Sequence, residues 1–262
     1  MLGEVFLLGY FCPNFANYNY NYGAKFVSVK LCIMTAYADE TLALLNVLGQ
    51  GVGDSVDWNS RLQFEWIDGD TKWVVMQSGM GKVRAASMCQ MIIDMYQVET
   101  FFEFGFAGGL VDTLNIGDIV VITGVSEHDV PNRPEIQREQ ETWRERLFQT
   151  SASSISKFAT TLSTNPNATI TKSSVICGDM DIYNREVRNR IAKESGAVAV
   201  NWESSAIVDV CAINNVKYVG IRIISDLCVE EDSGPIPEER VALLHKSTTA
   251  YVKTLMDLIQ KT

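Results

Sequence analysis

The 262-residue chain reads as an α/β protein, a single-domain three-layer fold with a mixed, mostly parallel sheet flanked by helices. Three observations predict this class. From about residue 26 onward, strand-like and helix-like segments alternate, the order that builds a sheet with helices on its faces. Strand segments such as Val219–Ile224 are apolar almost without interruption, as strands covered on both faces are. No linker, low-complexity run or internal repeat divides the chain. Residues 1–25 are expected to be an N-terminal extension, and residues 26–262 the domain.

Each element has a local reason. Phe26–Met34 is apolar and β-branched, a first strand. Leu42, Leu45 and Leu48 recur at helical spacing in Asp39–Leu48, and Gly49 ends it. Leu62–Ile67 alternates and turns through Asp68-Gly69-Asp70 into Trp73–Gln77, a hairpin signature. Lys82–Tyr96 is helical. Thr100–Phe104 is a short strand ending in glycines, and Ile119–Val125 is another strand. Glu127–Arg146 is polar and contains prolines, which reads as a long surface loop with helical pieces. Helices follow at Ser151–Leu162, Asn184–Glu194 and Glu203–Ile213, with strands at Ile170–Cys177, Val198–Val200 and Lys217–Ile224. Pro237–Ile259 is a long amphipathic helix.

Composition narrows the function. The formal charge is −10, which argues against nucleic acid or an anionic membrane surface as the main partner. It does not exclude a small anion held by local donors. Of the six cysteines, Cys32, Cys89, Cys177 and Cys211 lie in apolar periodic segments and none forms a C-x-x-C pair. That pattern favours a reducing, cytoplasmic setting. The two histidines, His128 and His245, have no ligand-like spacing, so no metal and no cofactor is expected. Met1–Cys12 is apolar but contains Glu4 and lacks a basic start, so a signal peptide is the weaker reading.

Two carboxylates stand out. Asp226 ends the strand Tyr218–Ser225, and Glu203 follows Ala197–Trp202; strand ends of this kind are where α/β sheets bind ligands. The strand before Asp226 implies partial burial, which keeps a carboxyl protonated toward neutral pH. Glu40, in the first turn of the first helix, is either a helix-dipole acid or a base aimed into the crevice. Ser78-Gly79-Met80-Gly81-Lys82 and Gly105-Phe106-Ala107-Gly108-Gly109-Leu110 are glycine-rich strand ends, each readable as a plain turn or as a ligand-approaching loop. Arg222 inside a buried strand calls for an acidic partner. His128-Asp129 belongs to a surface loop.

The order of these pieces resembles the purine nucleoside phosphorylase superfamily, specifically its methylthioadenosine/S-adenosylhomocysteine nucleosidase branch. The likeness covers about residues 29–260 and rests on Ser78–Val83, Gly105–Leu110, Ile116–Val121, His128-Asp129, Gly178-Asp179, Glu203 with its helix, and Ile224-Ser225-Asp226. The resemblance implies cleavage of an N-glycosidic bond. Asp226 matches the acid that protonates the purine N7, Glu203 the residue that holds the ribose hydroxyls, and Glu40 the base that activates water. Trp202, Phe106, Ala107, Gly108, Asp181, Ile182 and Ser225 match substrate-lining positions. Phosphorylases of the superfamily carry a phosphate-binding arginine and serine where this chain has Glu103 and Phe106, so water is the expected nucleophile.

The chain also departs from the pattern. Asn201-Trp202-Glu203 stands for the usual Glu-Met-Glu, which reshapes the sugar pocket. Asp181 replaces an aromatic that stacks on the base. The expected function is therefore a purine nucleosidase acting on 5′-methylthioadenosine, S-adenosylhomocysteine or a related nucleoside. A phosphate-dependent phosphorylase and a nucleoside-binding homologue without turnover are the alternatives. The resemblance further implies a homo-oligomer, a dimer or higher.

Overall fold

Strand β1 (Val29–Thr35) is hydrophobic from Leu31 to Met34 and sends alternate side chains to opposite faces. Cys32 and Met34 join one core cluster, while Leu31 and Ile33 join another. That division runs through the whole molecule, which is described by a computed structural model at residues 29–49, 55–57, 62–68, 71–130, 134–164, 169–232 and 237–260. The proposed extension at residues 1–25, with Cys12, lies outside the described residues.

After β1 come α1 (Ala38–Leu48), β2 (Ser55–Asp57), β3 (Leu62–Asp68), β4 (Thr71–Gln77), α2 (Lys82–Tyr96), β5 (Thr100–Gly109) and β6 (Ile119–Glu127). Then follow α3 (Pro134–Leu162), β7 (Ile170–Cys177), α4 (Arg185–Ser195), β8 (Ala199–Asn201), α5 (Ser204–Asn214), β9 (Lys217–Asp226) and α6 (Glu238–Gln260). Helices α2 and α5 pack on the face carrying Cys32, Met34, Val74 and Met76. Helices α1, α6 and the second half of α3 cover the face of Leu31, Ile33, Val75 and Phe104. A smaller cluster seats α4, through Ile191, against Ile176 and Val200. This is the expected three-layer α/β arrangement.

The strand order is β2-β3-β4-β1-β5-β8-β7-β6-β9, and β9 also pairs with β5. The last five strands therefore close into a ring, β5-β8-β7-β6-β9 and back to β5. Parallel pairing prevails narrowly, in five of nine strand pairs; β2–β3, β3–β4, β5–β8 and β6–β9 run antiparallel. Within the ring only β5–β8 and β6–β9 are reversed, so β8 is parallel to β7 and antiparallel to β5.

Strand β2 (Ser55–Asp57) was not expected from the sequence, and two larger elements also differ from the expectation. Strand β5 does not stop at Phe104 but runs through the glycines to Gly109, because Gly108 pairs with Val200 of β8 and with Asp226 of β9. Residues 134–146, read as loop, are the first half of the 29-residue helix α3. Pro134 takes its first position, where a missing N–H is no loss. The Glu-, Gln- and Arg-rich run that follows favours helix without showing an apolar stripe. Arg144 then anchors that half, its guanidinium donating to Asp209 at 2.7 and 2.8 Å and to Glu127 at 3.0 Å.

Candidate active site

The turn from β1 into α1 decides where Glu40 points. Its carboxylate folds back onto the turn: Oε2 accepts the N–H of Ala36 at 2.7 Å and of Tyr37 at 3.3 Å. Oε1 accepts the N–H of Phe106, across in β5, at 2.6 Å. A solvent-facing helix-dipole acid would be exposed, whereas Glu40 is 2% exposed. Burial raises its pKa to about 7; the Arg222 guanidinium pulls it down and Glu203 pushes it up.

Glu40 reaches β5 because residue 105 is glycine. A Cβ there would lie 2.2 Å from Arg222 Nη1 and 2.7 Å from Glu40 Oε1. The missing side chain opens the space in which these two groups meet.

Arg222 answers the sequence expectation of an acidic partner with three. It is 1% exposed in β9 and ion-pairs with Glu103 of β5, with Glu203 at 3.4 Å and with Glu40 at 4.0 Å. Burial works against its charge, and the carboxylates of Glu103, Glu203 and Glu40 outweigh that effect, so it stays cationic. Asn201 Oδ1 also accepts from it at 3.2 Å, and takes the N–H groups of Glu203 at 3.0 Å and Ser204 at 2.9 Å. Asn201 thereby fixes the start of α5. Glu203, at the N-cap of that helix, accepts the N–H of Gly81 at 3.1 Å. Its pKa is raised, burial outweighing the pull of Arg222 and of Gly81.

Asp226 is the last residue of β9 and is half-buried. Ser225 Oγ donates to its Oδ2 at 2.9 Å, and the Cys228 N–H to its Oδ1 at 3.0 Å. A Cβ on Gly108 would lie 2.2 Å from Cys228 Sγ and 3.0 Å from Asp226 Oδ1, so the glycine lets the acid close on β5. The two acids were expected on neighbouring strand ends. In fact β8 and β9 are not paired there, and β5 between them brings Glu203 and Asp226 together.

Of the other expected site residues, Phe106, Ala107 and Gly108 lie on β5 beside these acids, and Ser225 Oγ donates to Ala107 O at 3.3 Å. Trp202 is half-buried next to Glu203. Asp181 is exposed, its pKa raised by partial burial and by the charge of Asp226. Ile182 is buried in the α4 cluster with Val200 and Cys228. His128 is half-buried, and its ring fills the space that a Cβ on Gly178 would take.

Sequence reasoning missed Tyr37. Its ring meets Phe106 edge-on at 6.3 Å and 75°. Its hydroxyl pKa is raised by burial, then by Glu40, Asp39, Asp226 and Glu203, which places one phenol within the field of all three candidate acids. The available signal was its position three residues before Glu40, in the same turn. Among the described residues no cluster of three or more His, Cys, Asp or Glu could hold a metal ion.

A family model, that of the Phosphorylase superfamily, matches residues 30–260. The chain belongs to this superfamily. It is 30% identical to the 5′-methylthioadenosine/S-adenosylhomocysteine nucleosidase of Baumannia cicadellinicola subsp. Homalodisca coagulata over 62% of this chain and 71% of that protein. It is 29% identical to the enzyme of the same name from Staphylococcus aureus (strain JH9), over 73% and 83%. The fold matches the futalosine hydrolase of Helicobacter pylori strain 26695 with a TM-score of 0.67 at 19% identity, covering 90% of this chain and 99% of that one. It also matches the Neisseria meningitidis 5′-methylthioadenosine/S-adenosylhomocysteine nucleosidase, solved in complex with methylthio-immucillin-A, with a TM-score of 0.67 at 21% identity over 88% and 99%.

Proposed function

We propose that this superfamily member is a nucleosidase that hydrolyses the N-glycosidic bond of a purine nucleoside to free base and sugar. The substrate is 5′-methylthioadenosine, S-adenosylhomocysteine or a close relative, as the names of the sequence relatives suggest. The observation that carries the choice of water over phosphate is the state of Arg222. An anion-binding guanidinium would have to be free, whereas this one faces three carboxylates. One of the three is Glu103, at the position where phosphorylases of the superfamily carry the phosphate-binding arginine, and Phe106 puts an aromatic ring at the loop position.

The roles are those the resemblance implies, and the burial and contacts of the three acids support them. The C1′–N9 bond breaks with its electron pair leaving on the base, and Asp226 supplies a proton to the base N7. The ribose acquires oxocarbenium character, and Glu203 holds its hydroxyls. Water adds at C1′ while Glu40 takes its proton. Tyr37, Phe106 and Trp202 form the aromatic side of the sugar pocket, and Ala107, Gly108, Ser225, Asp181 and Ile182 surround the base. A carboxylate with a pKa of about 7 suits the base role, because it is ionised over half the population near neutrality and still basic.

The protein works in the cytoplasm on a small molecule, as a homo-oligomer, with residues 26–262 as its domain. Free buried thiols at Cys32, Cys89, Cys177, Cys211 and Cys228 support a reducing compartment. Among the described residues no helix is long and apolar enough to cross a membrane.

Base release from a panel of purine nucleosides, with and without phosphate, tests the reading. Release independent of phosphate is expected. Release that requires phosphate would assign a phosphorylase, and nucleoside binding without release would assign a homologue that lacks turnover.

A further inference from the structure

One buried acid has no part in the chemistry above. Glu103 is 2% exposed, in the middle of β5. It is nonetheless held from three sides. Arg222 Nη2 pairs with its Oε1, Ser204 Oγ donates to the same oxygen at 3.0 Å, and the Tyr218 hydroxyl donates to Oε2. Tyr218 is itself fixed, buried and edge-on to Phe148 at 5.9 Å.

The consequence falls on Glu40. Arg222 has one guanidinium for three carboxylates, and its nearest approach to Glu40 is 4.0 Å, too long for a hydrogen bond. Glu40 is faced by Arg222 from β9, by Glu203 from the β8–α5 turn and by Tyr37 from its own turn, while the Phe106 N–H of β5 donates to it. Among these, Arg222 is the one cation. Wherever Arg222 is drawn, the basicity of Glu40 follows: a guanidinium in full contact stabilises a carboxylate and weakens it as a base.

We propose that Glu103 is a positioning residue for the hydrolytic step, holding the Arg222 guanidinium off Glu40 so that Glu40 stays basic enough to take the proton of water. This rests on the assignment of Glu40 as the base. The ladder position supports it, since Glu103 pairs in register with Gly220, two residues before Arg222, and Gly105 pairs with Arg222 itself. The same strand thus supplies the anchor that draws the guanidinium away and the glycine gap through which it meets Glu40.

The test is the pH profile of kcat/KM for base release from 5′-methylthioadenosine, between about pH 5 and 9. Glu103→Gln and Glu103→Asn free Arg222 to close on Glu40. Each is expected to move the acid limb down by about one pH unit or more, the effect of an opposite charge a few ångströms away. Glu103→Asp keeps the charge and is expected to keep the limb near its native position. An acid limb unmoved in both neutral variants, or moved as far in Glu103→Asp, overturns the proposal. Failure of both neutral variants to fold overturns it too, by making Glu103 a purely structural residue. A native protein that releases no base fails the nucleosidase assignment before any variant is compared, so the two failures are distinct.

Discussion

The two ends of the site are built on opposite plans. At the proposed sugar end, Glu40, Glu103, Glu203 and Arg222 are almost wholly buried, and each is held by two or more partners from other parts of the fold. At the proposed base end, Asp226 is half-buried between Ser225 and Cys228, and Asp181 is exposed. The buried end has its geometry fixed before any ligand arrives, which is what stabilising a developing charge requires. The open end keeps few contacts of its own. On the proposed assignment, reaction type and base preference are separable in this chain: the first rests on residues buried in the sheet, and the second on exposed residues that can change without disturbing it.

Variants at the two ends would break or sharpen that contrast. Asp226→Asn is expected to have the largest effect, lowering base release about 10²–10⁴-fold by removing the leaving-group proton, with the fold retained. Near-native rates alongside an unchanged circular dichroism spectrum would remove Asp226 from its role. Glu40→Gln is expected to lower turnover comparably and also to stabilise the protein. Folded Glu40 keeps its proton up to about pH 7, whereas the unfolded group releases it near 4.5, so its contribution to stability falls as the pH rises between those values. Relieved of that buried charge, the glutamine variant should gain about 1–3 kcal/mol at alkaline pH, allowing for one less suited hydrogen bond. Denaturant melts at two pH values measure this, and equal stabilities at both would contradict it. The native enzyme should correspondingly lose kcat/KM tenfold per pH unit below about 7 as Glu40 is protonated.

Smaller effects follow at the margins. Glu203→Gln should lower kcat/KM for ribosides about 10- to 100-fold through weaker contact with the sugar hydroxyls. Comparison with the matching 2′-deoxyriboside should show the smaller loss there; an equal loss on both would place Glu203 elsewhere. Asp181→Asn should leave stability within about 0.5 kcal/mol, since the side chain is exposed. Its expected signature is an altered ratio between 6-amino and 6-oxo purine nucleosides, and an unchanged ratio would mean that Asp181 does not face the base.

The sequence carried the local elements and the acids better than the links between them. Lys82–Tyr96 and Ile170–Cys177 were legible to the residue, because Gly81 marks the start of the first, Gly178 the end of the second, and apolar residues recur through both. Arg222 announced an acidic partner simply by lying in an apolar strand. The identity of those partners was hidden, since Glu103 and Glu203 meet it only once β5, β8 and β9 are assembled. The extension of β5 to Gly109 was hidden for the same reason: glycines usually end strands, and here they continue one because two strands crowd against it. The start of α3 was missed because a polar helix held by Arg144 shows no apolar stripe. Tyr37 looked like an ordinary turn residue until Phe106 and the acids were placed around it.

Cys228 gives the base end a built-in reporter. Its thiol is 2% exposed, packed where a side chain on Gly108 would be and beside the Asp226 carboxylate, and burial followed by that carboxylate suppresses its ionisation. An alkylating reagent can therefore reach it only when the segment after β9 swings away from β5, so the labelling rate counts those excursions. A nucleoside that settles against Asp226 should slow the count, which turns an inert cysteine into a clock for how often the pocket breathes.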